Sequence, residues 1–259
     1  MRWAAVLLMP LLAGCARDSF NLATQREEYS FTSTEKEVAM GRQIARQVEE
    51  ELAVVADEPL QDRVRAIGAR IVGVCDRKEL IYHFAVVKDD EVNAFSLPGG
   101  YVYLNAGLVK AAASDDELAS VIAHEVGHVC ARHAVKRYES SLGSQLVQLA
   151  AIASRQGAAA RGVSIAMQAA QLAYARDDEL AADRLAVKYL KAAGFDPRGM
   201  LGFLEKLREV DRNNTQYLPR GVVRPRYAMT HPYVPERLRA AKEALFGVAD
   251  YVDYLNTPP

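Results

Sequence analysis

The residues best suited to chemistry in this 259-residue chain stand in the pentapeptide His124-Glu125-Val126-Gly127-His128. On an α-helix a step of four residues is about 400°, so both histidines lie on one face about one turn apart. Two imidazoles on one face can bind one Zn²⁺ and leave its far side to water and substrate. Glu125 is offset by about 100°, within reach of a zinc-bound water but not of the metal. The spacing is the signature of a zinc metalloprotease.

The sequence around the pentapeptide favours a helix that carries both histidines. Ser114-Asp115-Asp116-Glu117 has the composition of a capping box, in which side chains bind the first free amides of a helix. Apolar residues then recur at helical spacing, at Leu118, Val121, Ile122, Val126 and Val129. The pattern predicts one helix from the capping box to about Tyr138. An ordinary amphipathic helix with two incidental histidines is the weaker interpretation, because the whole chain has only five histidines.

A zinc site with three protein ligands needs one more residue from elsewhere in the chain. The segment Glu179-Leu180-Ala181-Ala182-Asp183 offers two carboxylates on one helical face. One carboxylate can bind the metal while the other holds a ligand histidine by its second ring nitrogen. Read alone, such an acidic pair is typical of a solvated surface. Downstream of a zinc-binding helix, the pair favours a ligand role.

These features together resemble the M48 peptidases, a gluzincin family of zinc metallopeptidases with a branch of periplasmic lipoproteins. The resemblance covers roughly residues 35 to 245, and its further motifs are Asn93 to Tyr103, His124 to His133, Thr230-His231-Pro232 and Pro235-Glu236-Arg237. It implies a single Zn²⁺ bound by His124, His128 and Glu179. It also implies Glu125 as the general base and Asp183 as the residue that orients a ligand histidine.

Two more candidate site segments rest on the same resemblance. His231 is expected on a loop that approaches the zinc, and two roles stay open for it: donor to the oxyanion, or removable fourth zinc ligand. Asn93, Ala94 and Phe95 are expected on an edge strand that holds the backbone of an extended substrate. The alternative for this segment is an ordinary hairpin strand close to the site. Of the other histidines, we expect His83 to be structural and His133 to be structural or to support a ligand.

Local signals predict an α+β fold, mainly helical, with a sheet of about three strands beside the zinc helix. A capping box at residues 34–37 opens a helix to about Leu52, and Pro59 suits the first turn of a helix to about Cys75. Strands are predicted at residues 81–87, 92–97 and 101–104, with a turn at residues 98–100. Later helices should end at Gly194, begin at Pro197 and begin at Pro235.

The first residues predict export and a lipid anchor. A single early charge, a short apolar run and Leu12-Ala13-Gly14-Cys15 read as a signal peptide, and they resemble a lipobox in which Cys15 becomes acylated. A plain secretory signal is the alternative. We therefore divide the chain into a signal peptide (1–14), a lipidated N-terminus and tether (15–33) and a metallopeptidase domain (34–259). Residue 16 is not aspartate, and by resemblance to enterobacterial sorting this favours the outer membrane, facing the periplasm.

Two further regions leave alternatives open. Residues 140–173 are rich in Ala, Gln and Ser, and they are read as a packed pair of small-residue helices or as a mobile cover over the cleft. Cys75 and Cys130 are read as a disulfide or as two buried free thiols. Net charge is −1 and no basic tract occurs, so nucleic acid is not an expected partner.

The predicted function is zinc-dependent endopeptidase action on unfolded or misassembled envelope proteins. The alternative, from a different class, is a zinc-stabilised periplasmic chaperone or assembly factor for outer-membrane proteins. The outer-membrane assembly machinery is a candidate partner under either reading. An intact Glu125 favours the enzyme, because a protein that only binds has no need of a general base.

Overall fold

The computed structural model describes residues 17–141, 174–217 and 230–247. Its strands are β1 (Arg17–Asn21), β2 (Arg26–Ser30), β3 (His83–Val87), β4 (Ala94–Leu97) and β5 (Tyr101–Asn105). Its helices are α1 (Thr34–Glu51), α2 (Glu58–Val72), α3 (Ala106–Ala111), α4 (Asp115–Cys130), α5 (133–141), α6 (Arg176–Ala193), α7 (Arg198–Tyr217) and α8 (Val234–Phe246). The mainly helical α+β class predicted from the sequence is confirmed.

A three-stranded mixed sheet lies beside the buried helix α4. The strand order is β3-β5-β4, with β3 parallel and β4 antiparallel to the central strand β5. Gly99 and Gly100 make the turn into β5 with φ of 78° and 97°, a backbone conformation that residues other than glycine rarely adopt. The predicted three strands are thus confirmed, and β4 is an edge strand that packs against α4.

Helix α4 forms the centre of the domain. All residues from Glu117 to Cys130 are buried, so this helix is covered on every side by α2, α6, α7 and the sheet. Helix α6 packs along it, and the two backbones come close at Gly127, where an added Cβ would lie 2.9 Å from the Ala182 carbonyl oxygen. The missing side chain lets the two helix backbones meet beside the histidines.

The predicted continuation of the zinc helix to Tyr138 is wrong, because α4 ends at Cys130. Arg132 adopts a left-handed conformation with φ of 57°, and α5 begins at the next residue. The guanidinium of Arg132 donates to the Glu37 carboxylate (3.0 Å) and to the Thr32 carbonyl (2.6 Å). These contacts with chain far away in sequence stabilise a turn that the local pattern does not signal.

The segment expected to be a tether contains a hairpin. Strands β1 and β2 pair antiparallel from Arg17 opposite Ser30 to Asn21 opposite Arg26. One face of the hairpin binds the domain, with Glu28 paired to Lys136 at 2.7 Å and Asn21 donating to the Cys130 carbonyl at 3.3 Å. The polar composition suggested a linker, but here polar side chains make the docking contacts.

Cys75 and Cys130 are buried free thiols, so the free-thiol alternative matches the structure. The Tyr82 hydroxyl lies 3.6 Å from the first sulfur and 3.5 Å from the second. Most of residues 140–173 lies outside the described residues, as does Cys15. No helix in the described part of the chain is both long and apolar enough to span a membrane.

Candidate metal centre

Helices α4 and α6 and the segment before α8 bring four metal-binding side chains to one point. Ligand atoms of His124, His128, Glu179 and His231 all lie within 4.8 Å of one another, and all four residues are buried. The Nε2 atoms of His124 and His128 are 3.0 Å apart. The Glu179 carboxylate faces both nitrogens, with Oε2 3.4 Å from that of His124 and Oε1 3.4 Å from that of His128. The three ligands predicted from the sequence are therefore adjacent, and the fourth candidate joins them.

These separations fit a tetrahedral zinc ion. Zinc bonds of about 2.0–2.2 Å to nitrogen and oxygen hold the ligand atoms about 3.3–3.6 Å apart. The observed separations of 3.0 to 3.4 Å lie close to that range. Two imidazoles and a carboxylate are also the ligand set of many catalytic zinc sites. The donor atoms present therefore suit the metal that the sequence predicted.

Asp183 binds the ring nitrogen of His124 that faces away from the cluster, as expected from the four-residue spacing after Glu179. The Nδ1 atom of His124 lies 2.8 Å from an Asp183 oxygen. Burial and Arg237 both oppose a proton on this imidazole, yet the carboxylates of Asp183 and Glu179 outweigh them and raise the pKa of His124 to about 9. The carboxylate fixes the ring so that Nε2 points at the cluster.

Arg237 belongs to a motif named from the sequence, Pro235-Glu236-Arg237, but the sequence analysis gave it no role in the site. Its guanidinium donates two hydrogen bonds to Asp183, both at 2.8 Å, and lies 2.9 Å from a Glu179 oxygen. Burial opposes ionisation of both carboxyls, but Arg237 and the histidines overcome it and lower both pKa values. One buried cation thus balances two buried carboxylates. The available signal was its position three residues after Val234 on the apolar face of α8.

His128 has a different support, through His133. The two Nδ1 atoms are 2.8 Å apart, and the Nε2 of His133 lies 3.4 Å from Asp178. Burial lowers the pKa of His133 to about 3, and it also lowers the pKa of His128. A neutral His128 that binds metal through Nε2 carries its proton on Nδ1 and donates it to His133. His133 therefore supports a ligand, one of the two roles expected for it.

Glu125 is a buried carboxylate at the edge of the cluster. Its side chain is fully buried, and among the described residues neither carboxylate oxygen has a hydrogen-bond partner. The Nε2 of His231 is 3.4 Å from one of these oxygens. A buried carboxylate without hydrogen bonds is costly, and a metal-bound water is a partner that would satisfy it.

His231 approaches from the segment before α8, and its neighbour Thr230 reaches the edge strand. The Nδ1 of His231 lies 3.1 Å from Glu179 and 3.4 Å from His124, inside the ligand cluster. The Thr230 hydroxyl donates to the Asn93 side chain at 3.4 Å. Asn93 and Ala94 are buried, while Phe95 is partly exposed. The predicted substrate strand thus lies beside the cluster, and the His231 segment contacts both.

Comparison with known proteins assigns the chain to a family. The profile of peptidase family M48 matches residues 58–245. The chain belongs to peptidase family M48. Beta-barrel assembly-enhancing protease from Escherichia coli (strain K12) is 31% identical over 226 residues, which cover 82% of this chain and 44% of that protein. The metallopeptidase class expected from the sequence is thereby confirmed at the level of the family.

Two further relatives with metallopeptidase names match a smaller part of the chain. Mitochondrial metalloendopeptidase OMA1 from Schizosaccharomyces pombe is 27% identical over 182 residues, 70% of this chain and 52% of that protein. Metalloprotease YcaL from Escherichia coli (strain K12) is 30% identical over 145 residues, 52% of this chain and 54% of that protein. The chain spans about half the length, or less, of these curated relatives.

Tyr174 is a second residue of this M48 site to which the sequence analysis gave no role. Its buried ring stacks on His128 with centroids 3.8 Å apart, and the Arg137 guanidinium lies 3.6 Å from its other face. Burial raises the pKa of the Tyr174 phenol to about 12. Its backbone amide donates to the Thr230 carbonyl at 3.2 Å. Tyr174 thus joins the start of α6 to the segment that carries His231.

Proposed function

We propose that this M48 protein is a zinc-dependent endopeptidase that cleaves unfolded or misassembled proteins of the bacterial envelope. The observation that carries the proposal is the ligand cluster with the buried Glu125 beside it. When bound, zinc polarises the scissile carbonyl and lowers the pKa of its water. A fully buried base is protected from bulk solvent, so its proton is kept for the reaction.

The proposed reaction assigns one task to each side chain. Glu125 takes the proton of the attacking water on its carboxylate and then gives it to the leaving amine. Asp183 keeps His124 in the tautomer that turns Nε2 to the metal, and His133 does the same for His128. Substrate backbone is proposed to pair with the edge strand at Asn93, Ala94 and Phe95.

His231 is proposed as a removable fourth ligand that holds the resting enzyme closed. Support comes from its Nδ1 atom, which lies at ligand distance from the same cluster, and from the Thr230 contact with Asn93. A substrate strand on β4 and a carbonyl on the metal would both require this segment to move. The oxyanion-donor role expected as an alternative would require His231 to keep its place during turnover.

The cellular setting is also a proposal. The Cys15 lipobox supports an acylated protein on the outer membrane, facing the periplasm. The name of the Escherichia coli relative, a beta-barrel assembly-enhancing protease, supports envelope proteins as substrates and the assembly machinery as a partner. The same name supports the second candidate function, an assembly factor or chaperone that cleaves rarely.

The test is casein cleavage by the zinc-loaded protein, measured with Glu125→Gln and the exposed control Glu51→Gln in parallel. We expect cleavage by the wild type and the control, and a loss of roughly 10²–10⁴-fold in Glu125→Gln with one zinc per chain retained. Turnover by the metal-replete Glu125→Gln protein would exclude Glu125 as the base. Absence of cleavage in every sample, with zinc bound and with His231→Ala also inactive, would favour the assembly-factor function.

A further inference from the structure

The outer face of the β1–β2 hairpin exposes a set of large apolar side chains. Phe20 is 55% exposed, Leu22 58%, Tyr29 72% and Phe31 61%. Phe20 is paired with Glu27, and Tyr29 follows two residues later on the same face of β2. Half of the large apolar residues exposed in the described part of the chain therefore lie in and beside this one hairpin.

An ordinary amphipathic hairpin packs its apolar face on the domain and exposes its polar face. This hairpin does the reverse, because its polar face is the one that docks. Glu28 pairs with Lys136, and the Ser30 hydroxyl donates to Glu139 at 2.8 Å. The Glu139 carboxylate also accepts from the backbone amides of Phe31 (2.9 Å) and Thr32 (2.8 Å). These polar contacts fix the hairpin and leave its four large apolar side chains exposed to another surface.

The proposed lipid anchor, Cys15, lies immediately before this face in the sequence. Cys15 precedes the first residue of β1 by two positions, and two extended residues span about 7 Å. Acyl chains on Cys15 would therefore hold the hairpin at the surface of the bilayer. Phenylalanine and tyrosine favour the region between headgroups and acyl chains, and Glu27 on the same face keeps the contact shallow.

We propose that the outer face of the hairpin, Phe20, Leu22, Tyr29 and Phe31, rests on the bilayer and fixes the orientation of the catalytic domain. The inference rests on the proposed lipid anchor and goes beyond the proposed proteolysis. Since the hairpin binds the C-terminal end of α4 through Asn21, the bilayer contact sets the position of the metal centre above the membrane. The catalytic domain then keeps one orientation relative to the bilayer and does not rotate freely about a flexible tether.

Tryptophan fluorescence gives a direct test, because Trp3 is the single tryptophan of the chain and is removed with the signal peptide. The acylated protein with Phe20→Trp is reconstituted in phosphatidylethanolamine–phosphatidylglycerol vesicles with brominated acyl chains. Ala113→Trp is the matched control, at an exposed residue just before α4. The 16 residues of α4 separate it from the docked hairpin by about 24 Å.

We expect the Phe20→Trp emission to shift to shorter wavelength and to be quenched by the brominated lipid, while Ala113→Trp is unaffected. Adding Tyr29→Ser and Phe31→Ser should abolish the quenching and leave casein cleavage intact. If the protein floats with the vesicles but the tryptophan at residue 20 is not quenched, the hairpin does not contact the bilayer, and the lipid anchor is still supported. Protein that does not float would overturn both, while casein cleavage still reports on the peptidase. A blue shift that depends on protein concentration without lipid would assign the face to a second copy.

Discussion

At the scale of single residues, the two ligand histidines have opposite environments. His124 contacts two carboxylates, and its pKa is raised to about 9, although burial and Arg237 act against the charged form. His128 contacts a neutral His133, and burial lowers its pKa. In protein stripped of metal near neutral pH, His124 is therefore charged and His128 is neutral. Zinc must displace a proton from the first ring but none from the second.

The first prediction concerns this proton. Because protons compete with zinc at His124 below a pKa of about 9, apparent zinc affinity should rise with pH up to about 9 and then level off. Calorimetry in buffers of different ionisation enthalpy measures the protons released on binding. We expect about one fewer proton from Asp183→Asn near pH 8, because the loss of that carboxylate lowers the pKa of His124. If both proteins release the same number of protons, Asp183 does not raise the pKa of His124.

The second prediction concerns the support that Asp183 gives to His124. Asp183→Asn removes the charge that fixes the ring and leaves Arg237 with one carboxylate in place of two. Zinc affinity should fall roughly 10–100-fold, as is common for residues that hold a ligand histidine. Competition with a chromophoric chelator measures the affinity, and Asp177→Asn on the exposed side of α6 is the control. An unchanged affinity would make Asp183 merely structural.

The part of the site that could be predicted from the sequence is the part with local spacing. His124, His128, Glu179 and Asp183 come from two four-residue steps on helices, and the structure brings all four together. Arg237 and Tyr174 could not be found in this way, because their partners lie on elements distant in sequence. An arginine in a charged helix is ordinarily solvated, and this one is buried by the packing of α8 on α6 and α7.

At the scale of elements, the position of Glu179 depends on how closely α6 approaches α4. The third prediction is that Gly127→Ala separates these helices, because its new Cβ would lie 2.9 Å from the backbone oxygen of Ala182. We expect a stability loss of about 1–3 kcal/mol and weaker zinc binding. Urea unfolding and chelator competition measure the two effects. Gly73→Ala, at a helix end with φ of −57°, is the control.

If Gly127→Ala loses stability and keeps its zinc affinity, the close approach positions the helices without positioning Glu179.

Among the helices and strands, as among the residues, the sequence predicted those features that depend on local signals. Local signals predicted α1 and the start of α4, although the residue that caps α1 is Ser33, one position before the capping box predicted at residues 34–37. The break at Arg132 and the docking of the hairpin by its polar face depend on Glu37, Lys136 and Glu139, which lie elsewhere in the chain.

At the scale of the whole molecule, the metal cluster joins three segments that are far apart in sequence and packed together in the fold. His124 and His128 belong to α4, Glu179 to α6, and His231 to the segment before α8. Without an ion, the buried carboxylates rely on Arg237 and the histidines for neutralisation. A bound ion would connect all three segments at one point, so its binding free energy is expected to appear as folding free energy.

The fourth prediction follows from that linkage. Zinc at about a thousandfold excess over its Kd should stabilise the folded protein by about 4 kcal/mol, because a ligand that binds only the native state shifts the unfolding equilibrium. Urea unfolding with chelator and with zinc measures the difference. Glu179→Gln should show a much smaller shift, since it replaces the charged ligand of the cluster. Equal shifts in the two proteins would place the stabilising ion outside this cluster and separate the fold's stability from its proposed chemistry.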